Sequence, residues 1–367
     1  MLSDNEDGTF RSTASRTSNQ NHKRLSKYTD TVLVSNPASS SGSTGNNWDN
    51  LLIRIKDAFG VNPQIAFTKK TNDGTLLARK FLKRGVKKVI AIGGDGTINE
   101  VANGFFYPVK KREVDSLSKT DYEVQENKND FPQPDNLSPI NRDAILGIIP
   151  SGTRNVLARS LDLAEGIEEC CHNYMSGRTK KIDVLTATVT NAMNRSRAST
   201  RVFLNAAEIG FGAELIDRSK KVRSRVKNRF VSTLTGIIAT LPTYESNKCE
   251  IIFDDGKDKI VTSMTMGVIA NGKYLGGGFM AAPEASFSDG FLDVVILKDS
   301  GSLKMLDKLA NIKTGDYTNE SDVVYKQARK VSVKSIERDI TVAIDGEPIG
   351  ILPATFQVNQ YPLNILY

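Results

Sequence analysis

Short apolar runs alternate with amphipathic stretches over the first half of the chain. The runs TVLVSNP, QIAFT, KKVIAIGG and AILGIIPSGT each end at turn residues, which is typical of short buried strands. Helical spacing covers Trp48 to Phe59, TLLARKFLKRG up to Gly85, TINEVANGFF, and a segment from Asn155. Strands that alternate with helices predict a doubly wound parallel sheet, and thus an α/β nucleotide-binding domain over residues 31–178.

The pattern changes near residue 179. Runs such as KIDVLTATVT, RVFLNAAEIG, CEIIFDDG, FLDVVILK and ITVAIDG are strand-like, with turn residues rather than helices between them. This predicts an antiparallel, β-sandwich-like domain over residues 179–367, with a helical excursion near 214–241. We expect the last residues of this domain to pack back on the first domain.

Three polar segments fall outside these elements. Residues 1–30 are rich in Ser, Thr, Asn and charge, so they can bury little surface and predict a disordered tail. Residues 107–143 are polar and interrupted by proline, which predicts a mobile insert in the first domain. The stretch NAMNRSRAST (191–200) predicts a hairpin loop.

Composition narrows the class of protein. The 367 residues are 39% hydrophobic and 25% charged, which is typical of a soluble globular chain of about two domains. No apolar run reaches the length of a membrane span, and the N-terminus lacks the apolar core of a signal peptide, so we expect a cytoplasmic location. Three cysteines fit a reducing interior, and only two histidines leave little room for a His-based metal site or a Ser-His-Asp triad.

The charge balance points to an anionic partner. The net charge is +7, and RSKKVRSRVKNR (218–229) carries seven Lys or Arg and no acid. Nucleotides, anionic membranes and nucleic acids all fit this charge. No DNA- or RNA-binding signature accompanies the basic run, so we expect no nucleic-acid partner.

The stretch VIAIGGDGTINEVANG (89–104) carries the clearest chemistry. Three glycines surround Asp95 at the end of a predicted strand, where bare backbone can turn sharply and present N–H groups to a phosphate. The positive end of the following helix points at the same place. A plain alternative is that Thr97 and Glu100 form a T-x-x-E capping box. Capping does not explain three glycines around an aspartate, so the motif favours phosphate binding.

The extended motif GGDGTINEVANG resembles the diacylglycerol kinase catalytic domain of the lipid kinase family. The GGDGT core is shared with sphingoid-base kinases and NAD kinases, and phosphofructokinases share a similar core without this continuation. Further stretches support the resemblance in the order that the family requires, from about residue 31 to the end of the chain. They are NPASSSG (36–42), Thr68, PSGTRNVLARSL, NAAEIGFGAELI, NGKYLGGGFMAAPEASFSDGFLDVVIL and IDGEP.

The resemblance implies roles for individual residues, with ATP and Mg²⁺ as cofactors. Glu347 would accept the proton of the acceptor hydroxyl, and Asp95 would bind magnesium directly or through water. In the sphingoid-base kinases the equivalent aspartate is also proposed as the base. A second, structural Mg²⁺ maps onto Ser286, Asp289 and Phe291, with a plain Asp-Gly turn as the equal alternative. The nucleotide-binding residues implied are Asn36, Pro37, Ser39, Thr68, Gly93, Gly94, Asp95, Gly96, Thr97, Ile98, Asn99 and Thr153.

Taken alone, IDGEP predicts something simpler than a catalytic motif. The run ITVAI-DG-EPIGIL is typical of a β-hairpin with a type I′ turn. The two interpretations are compatible, since such a hairpin can present Glu347 to a cleft.

Two departures from the family pattern affect the expected site. Val156 stands where relatives have Asp after the Asn, and Gly212, Ala213 and Glu214 stand where relatives have G-x-D-A. The loss of a carboxylate near the phosphates puts the metal arrangement in question. It also keeps a nucleotide-binding regulator with a degraded site among the alternatives.

The resemblance implies an ATP- and Mg-dependent lipid kinase, with diacylglycerol as the first acceptor and phosphatidic acid as product. The alternatives, in order, are a sphingoid-base or other lipid-alcohol kinase, an NAD kinase, and a non-catalytic nucleotide-binding regulator. The basic run 218–229 predicts peripheral contact with anionic membrane, and FVSTLTGIIATL (230–241) is typical either of acyl-chain contact or of a core helix. A homodimer is expected from the resemblance alone.

Overall fold

The computed structural model describes residues 30–59, 63–108, 131–164, 166–222, 241–276, 278–301, 304–305, 308, 311–312 and 314–367. The predicted N-terminal tail and most of the 107–143 insert lie outside these residues, as do residues 223–240 and the side chains of 217–222. Most of the basic run (223–229) and the apolar stretch up to residue 240 therefore lie outside the described part of the chain.

The elements of the first half follow the predicted order of strands and helices. They are β1 (Thr31–Ser35), α1 (Ser43–Asn46), α2 (Trp48–Phe59), β2 (Gln64–Phe67), α3 (Asp73–Lys83), β3 (Lys88–Gly93), α4 (Asp95–Gly104), β4 (Phe106–Pro108), β5 (Leu137–Pro139), β6 (Ile145–Pro150), α5 (Val156–Ser160), α6 (Ile167–Ser176) and β7 (Thr179–Ile182).

Among the described residues of the second half, most of the elements are strands. Its elements are β8 (Leu185–Thr190), β9 (Ala198–Phe203), β10 (Ala206–Gly210), α7 (Phe211–Val222), β11 (Asn247–Phe253), β12 (Asp258–Ala270), β13 (Tyr274–Leu275), β14 (Phe279–Met280), β15 (Leu292–Lys298), β16 (Val323–Ala328), β17 (Lys330–Ser335), β18 (Thr341–Ile344), β19 (Glu347–Val358) and β20 (Leu363–Leu366).

The first sheet is parallel and covered on both faces. Its strand order is β2-β1-β3-β6-β20-β7, and all neighbours are parallel except β20 and β7. Val32 and Val34 of β1 pack in the core beneath α3 and α4, whereas Leu33 packs in the core beneath α2 and α6. Alternate side chains of one strand thus serve two cores, which confirms the predicted doubly wound α/β architecture.

The second sheet is antiparallel and closes on itself. Strands β10, β18, β19, β17, β11 and β12 form a ring, because β12 also pairs with β10. The branches β8–β9 and β15–β16 extend it, and the core inside is built from aliphatic and aromatic side chains such as Ile251, Val333 and Phe356. The predicted β-rich, sandwich-like second half is confirmed.

The two halves are joined by strands and by side chains. The last strand β20 inserts between β6 and β7, so the C-terminus completes the first sheet. Asn103 on α4 donates to the carbonyl of Val202 on β9 (2.9 Å) and accepts from the Val202 N–H (2.8 Å). Helix α4 and the glycine loop before it are therefore fixed relative to the β half. The division at residues 178 and 179 stays a prediction, and β7 just after it pairs with the first sheet.

Two of the predicted polar segments take local structure. The ends of the 107–143 insert form the small antiparallel pair β4–β5, and residues 191–197 connect β8 to β9 as the predicted hairpin loop. In the described part of the chain, no helix has both the length and the apolar character needed to cross a bilayer.

Candidate active site

A cleft of about 610 Å³ opens at the carboxyl ends of β1, β2, β3 and β6, facing the turn between β18 and β19. This is the edge at which open α/β sheets bind ligands. Polar and charged side chains and glycines line it. They are Asn36, Ala38, Ser39, Ser40, Thr68, Lys69, Lys70, Thr71, Gly94, Asp95, Gly96, Thr97, Glu100, Gly152, Thr153, Arg154, Asp345, Gly346 and Glu347.

Two glycine loops touch each other at the floor of the cleft. A Cβ on Gly94 would lie 3.2 Å from the Cα of Gly152, and a Cβ on Gly152 would overlap Gly94. Asn155, which adopts φ +47°, accepts the Gly152 N–H at 3.0 Å and fixes the second loop. The close approach of the two backbones requires glycine at both positions, and it leaves main-chain N–H groups rather than side chains at the floor.

Side-chain hydrogen bonds tie the loop after β1 to both glycine loops. The Asn36 amide donates to the Thr97 hydroxyl (3.1 Å), and its carbonyl accepts the Ala38 N–H (3.0 Å). The hydroxyls of Ser40 and Thr153 are 3.1 Å apart. Three loops from three strand ends thus form one polar wall suited to an anionic ligand.

The capping-box interpretation of Thr97 and Glu100 is wrong. Helix α4 begins at Asp95 with Gly94 as its N-cap, so Thr97 lies inside the first turn and makes no cap. Glu100 instead accepts the N–H groups of Asn72 (2.8 Å) and Gly74 (3.0 Å) at the start of α3. The unpaired N–H groups of the neighbouring helix attract this carboxylate more than the N-terminus of its own helix.

Asp95 lies where the N-termini of two helices meet. It opens α4, and its Oδ1 accepts the N–H of Leu157 in the first turn of α5 (3.1 Å). Burial raises the pKa of Asp95, while the N–H groups of Leu157 and Val156 and the nearby charge of Arg154 act in the opposite direction. Two helix N-termini and one guanidinium therefore support a carboxylate that desolvation disfavours.

The predicted hairpin at IDGEP is confirmed. Asp345 and Gly346 have φ of +45° and +80°, as a type I′ turn requires, and they join β18 to β19. The Asp345 carboxylate is buried and holds the turn to the rest of the fold; burial raises its pKa, and its donors lower it. Those donors are the N–H groups of Leu204 (3.0 Å), Asn205 (2.9 Å) and Ala206 (3.1 Å) and the amide of Asn99 (2.8 Å).

The hairpin places Glu347 against the glycine loop. A Cβ built on Gly96 would lie 2.7 Å from Glu347 Oε1, so the carboxylate occupies the space that a side chain at residue 96 would need. Glu347 and Asp95, which are 252 residues apart in the sequence, line the same cleft. Both residues predicted to be catalytic are thus brought together at the N-terminus of α4.

Most predicted nucleotide-binding residues line the cleft, but not all of them. Asn36, Ser39, Thr68, Gly94, Asp95, Gly96, Thr97 and Thr153 line it. The others lie behind its wall: Ile98 is fully buried, Asn99 holds Asp345, and a Cβ on Gly93 would lie 2.5 Å from the Cβ of Thr97. Pro37, too, is not among the lining residues. A direct contact between any of these four residues and the nucleotide stays a prediction.

Several residues that line the cleft were not predicted as site residues, among them Lys69, Lys70, Arg154 and Asp345. Lys69 and Lys70 follow β2 and face the cleft, and Arg154 follows the second glycine loop. Basic residues directly after the second predicted strand were a usable signal, because anionic ligands are expected at that edge. Asp345 gave no separate signal, since Asp-Gly is also the ordinary sequence of a type I′ turn.

The predicted second metal loop is held by hydrogen bonds of its own. Asp289 Oδ1 accepts the Phe291 N–H (3.0 Å), Ser286 accepts the Ser288 N–H (3.4 Å), and Gly290 donates to Asp183 (2.8 Å). Within the described residues, no group of three or more His, Cys, Asp or Glu side chains is placed to hold a metal. The predicted set contains one carboxylate and backbone carbonyls, so it stays a prediction.

Comparison with known proteins adds to this geometry. Residues 30–187 match the diacylglycerol kinase catalytic domain, and residues 205–367 match the YegS C-terminal NAD kinase beta sandwich-like domain. A diacylglycerol kinase of Bacillus subtilis is 26% identical over 337 residues, which cover 90% of this chain and 93% of the relative. A Chromohalobacter salexigens protein named "Probable lipid kinase YegS-like" is 27% identical over 300 residues, 80% of each chain.

Solved structures show the same fold. A crystal structure of a Bacillus anthracis protein superposes with a TM-score of 0.64 at 23% identity, over 92% of this chain and 94% of that one. Together the two domain matches span most of the chain. The chain thus carries a diacylglycerol kinase catalytic domain followed by a YegS-type C-terminal domain, and this pair of domains supports a lipid kinase.

Proposed function

We propose that the protein transfers the γ-phosphoryl group of ATP to the hydroxyl of diacylglycerol, giving phosphatidic acid. The observation that carries the proposal is the position of Glu347 over Gly96, at the N-terminus of α4 and beside Asp95. Phosphoryl transfer needs held phosphates, compensation of their charge, and a group that takes the proton of the attacking hydroxyl. The cleft offers residues for each of these tasks.

Backbone and hydroxyl groups hold the phosphates. The N–H groups at the start of α4, the loop at Gly152, and the hydroxyls of Thr97 and Thr153 supply donors. Lys69, Lys70 and Arg154 add positive charge around them. This arrangement stabilises the charge that develops on the transferred group without any reorganisation during the reaction.

Glu347 accepts the proton of the acceptor hydroxyl. Its carboxylate lies against the glycine loop, where the terminal phosphate is held, so an acceptor oxygen between the two is within hydrogen-bond reach of both. Asp345 and Asn99 fix the turn that carries Glu347. The base is thus positioned by a buried hydrogen-bond network rather than by a loose loop.

Magnesium suits the chemistry of the donor groups. All of the candidate ligands are oxygens, and Asp95 lies at the floor of the cleft beside the phosphate-binding backbone. When bound, Mg²⁺ would spread the negative charge of the phosphates, and Asp95 is the residue that would hold it. Ser286, Asp289 and Phe291 are proposed to hold a second, structural ion.

Diacylglycerol is preferred because the catalytic-domain match and the Bacillus subtilis relative both carry that name. The next alternative acceptor is a sphingoid base or another lipid alcohol, and the one after that is NAD. The last alternative is that the protein is a non-catalytic nucleotide-binding regulator. Peripheral contact with anionic membrane through residues 218–229 and a homodimer are further proposals, motivated by charge and by family resemblance respectively.

The test is transfer of labelled γ-phosphate from ATP and Mg²⁺ to a panel of lipids in mixed micelles, with NAD in a parallel reaction. Label in phosphatidic acid supports the proposal. Label in another lipid changes the acceptor, and label only in NADP assigns a different activity. ATP binding without any transfer supports the regulator and contradicts the proposal.

A further inference from the structure

A second, smaller cavity of about 40 Å³ adjoins the cleft. Asp95 and Arg154 line both cavities, whereas Asn36 and Thr68 line only the cleft. A group in the small cavity therefore lies beside the floor of the phosphate site, on the side that the loops after β1 and β2 do not reach. The residues of the two loops that are expected to hold the nucleotide do not line that side.

Glu208 is the side chain of this cavity that the mechanism does not use. It lies on β10, opposite Val268 of β12 and Ala343 of β18. Its Oε2 packs so closely on α7 that a Cβ on Gly212 would lie 2.5 Å away. Among the described residues, no hydrogen bond or ion pair engages its carboxyl group. Burial raises its pKa to about 7, and the charge of Arg154 acts against this rise.

We propose that the small cavity binds the polar head of the acceptor lipid next to the hydroxyl that is phosphorylated, and that Glu208, as the carboxylic acid, donates a hydrogen bond to an ester carbonyl oxygen of that head. The inference rests on the proposed function and names a specificity-determining residue for it. A neutral carboxyl group has one O–H donor, and an ester carbonyl is an uncharged acceptor of matching size.

The size and the walls of the cavity limit what it can hold. A volume of about 40 Å³ takes roughly three water molecules or one small polar group, since a single water needs about 10–15 Å³. Val156, Leu157 and Leu275 make part of the wall apolar, which disfavours a charged occupant. A nicotinamide ribose does not fit, whereas an ester group of a glycerolipid does.

The charges that face Glu208 agree with a neutral occupant. Asp95 on α4 and Asp345 on the β18–β19 turn line the cavity, and Arg154 comes from the loop after β6. A Cβ on Gly212 of α7 would meet both Glu208 and Met266 of β12, and neither Gly212 nor Met266 carries a charge. Burial outweighs the charge of Arg154 and favours the protonated form of Glu208, which is the form that donates.

The experiment compares wild type, Glu208→Gln and Glu208→Ala on two acceptors, 1,2-diacylglycerol and its 1,2-dialkyl ether analogue, in mixed micelles. Glutamine keeps a donor, so Glu208→Gln is expected to retain kcat/KM within about twofold on the ester. Alanine removes the donor, so KM for the ester is expected to rise about tenfold with kcat little changed. On the ether, which lacks the carbonyl, all three proteins are expected to be alike. Glu169→Gln, an exposed position on α6, is the matched control.

Several outcomes would overturn the inference. Equal losses on ester and ether would show a merely structural role, and an unchanged Glu208→Ala would show no role. Loss of activity in Glu208→Gln, with preference of wild type for a sphingoid base, would show that the carboxylate binds an ammonium. If the wild-type protein binds ATP but phosphorylates neither lipid, the proposed function itself is wrong. That result differs from each of the outcomes above, in which the wild-type protein is active.

Discussion

The Oε1 atom of Glu347 lies 2.7 Å from the position that a Cβ of Gly96 would take. Glu347 is on the β18–β19 hairpin, and Gly96 lies in the first turn of helix α4. The hairpin of the second half of the chain therefore closes onto the glycine loop of the first half. This contact joins the proposed phosphate-binding and proton-accepting parts of the site.

Gly96→Ala tests that contact. The added methyl group displaces the end of a flexible Glu347 side chain rather than backbone, so we expect kcat to fall on the order of 10²-fold with the free energy of unfolding nearly unchanged. Steady-state kinetics and urea denaturation measure the two effects separately.

Gly104→Ala is the matched control in the same helix. Its Cβ would lie 2.5 Å from the Cβ of Ala78 and 2.7 Å from the carbonyl oxygen of Thr75, so it forces α3 and α4 apart. We expect a loss of about 1–3 kcal/mol of stability and little change in kcat for the folded enzyme. The reverse pattern, in which Gly96→Ala is the less stable variant and remains fully active, would contradict a catalytic role for the contact between Gly96 and Glu347.

Asp95→Asn separates activity from stability. Asparagine keeps an acceptor oxygen for the Leu157 N–H, and it removes a charge that burial disfavours, as the raised pKa of Asp95 shows. We expect turnover to fall about 10²-fold or more while the free energy of unfolding at neutral pH stays equal or rises. ATP affinity, measured by calorimetry without lipid, is expected to remain measurable. Unaltered turnover would remove Asp95 from the mechanism.

Asp345→Ala is expected to destabilise the fold and to misplace Glu347. It leaves three backbone N–H groups and the Asn99 amide without their buried acceptor. The expected loss is on the order of 3 kcal/mol, read from chemical denaturation. Asp339→Ala, an exposed carboxylate of the neighbouring segment, is the control and is expected to change stability by less than about 0.5 kcal/mol. Equal small effects of both variants would refute the anchoring role of Asp345.

Glu208→Gln is expected to change how stability depends on pH. The pKa of Glu208 is near 4.5 in a model peptide and about 7 in the fold, so the folded state binds more protons between these values. Wild-type stability from this group therefore falls as pH rises from about 4.5 to about 7 and is level above that. The glutamine variant lacks this loss, so it gains up to about 3 kcal/mol over wild type by pH 8 and nothing below pH 4.5. A gain that is the same at both pH values would contradict the buried titration.

Sequence patterns predicted the parts of the site that depend on local residue types. The glycine loop at Gly94 and the type I′ turn at Asp345 and Gly346 both follow from φ values and close approaches that few residues permit. The order of strands and helices followed from apolar spacing. Each of these features is encoded within a few neighbouring residues.

The parts that the sequence did not reveal depend on distant partners. Asn99 binds Asp345 across 246 residues, and Glu100 caps α3 rather than its own helix. No local pattern specifies which unpaired N–H groups will lie nearest to a carboxylate once the helices pack. The small cavity at Glu208 was missed for the same reason, since its walls come from five separate segments.

The most direct test of the account is transfer of labelled γ-phosphate from ATP and Mg²⁺ to diacylglycerol by wild type and Glu347→Gln, with ATP affinity measured on both proteins. Glu337→Gln, exposed near the start of β18, serves as control. The account predicts labelled phosphatidic acid from wild type and the control, a loss of about 10²–10⁴-fold in kcat for Glu347→Gln, and similar ATP affinity for all three. Equal turnover by wild type and Glu347→Gln would contradict the central claim that Glu347 accepts the proton.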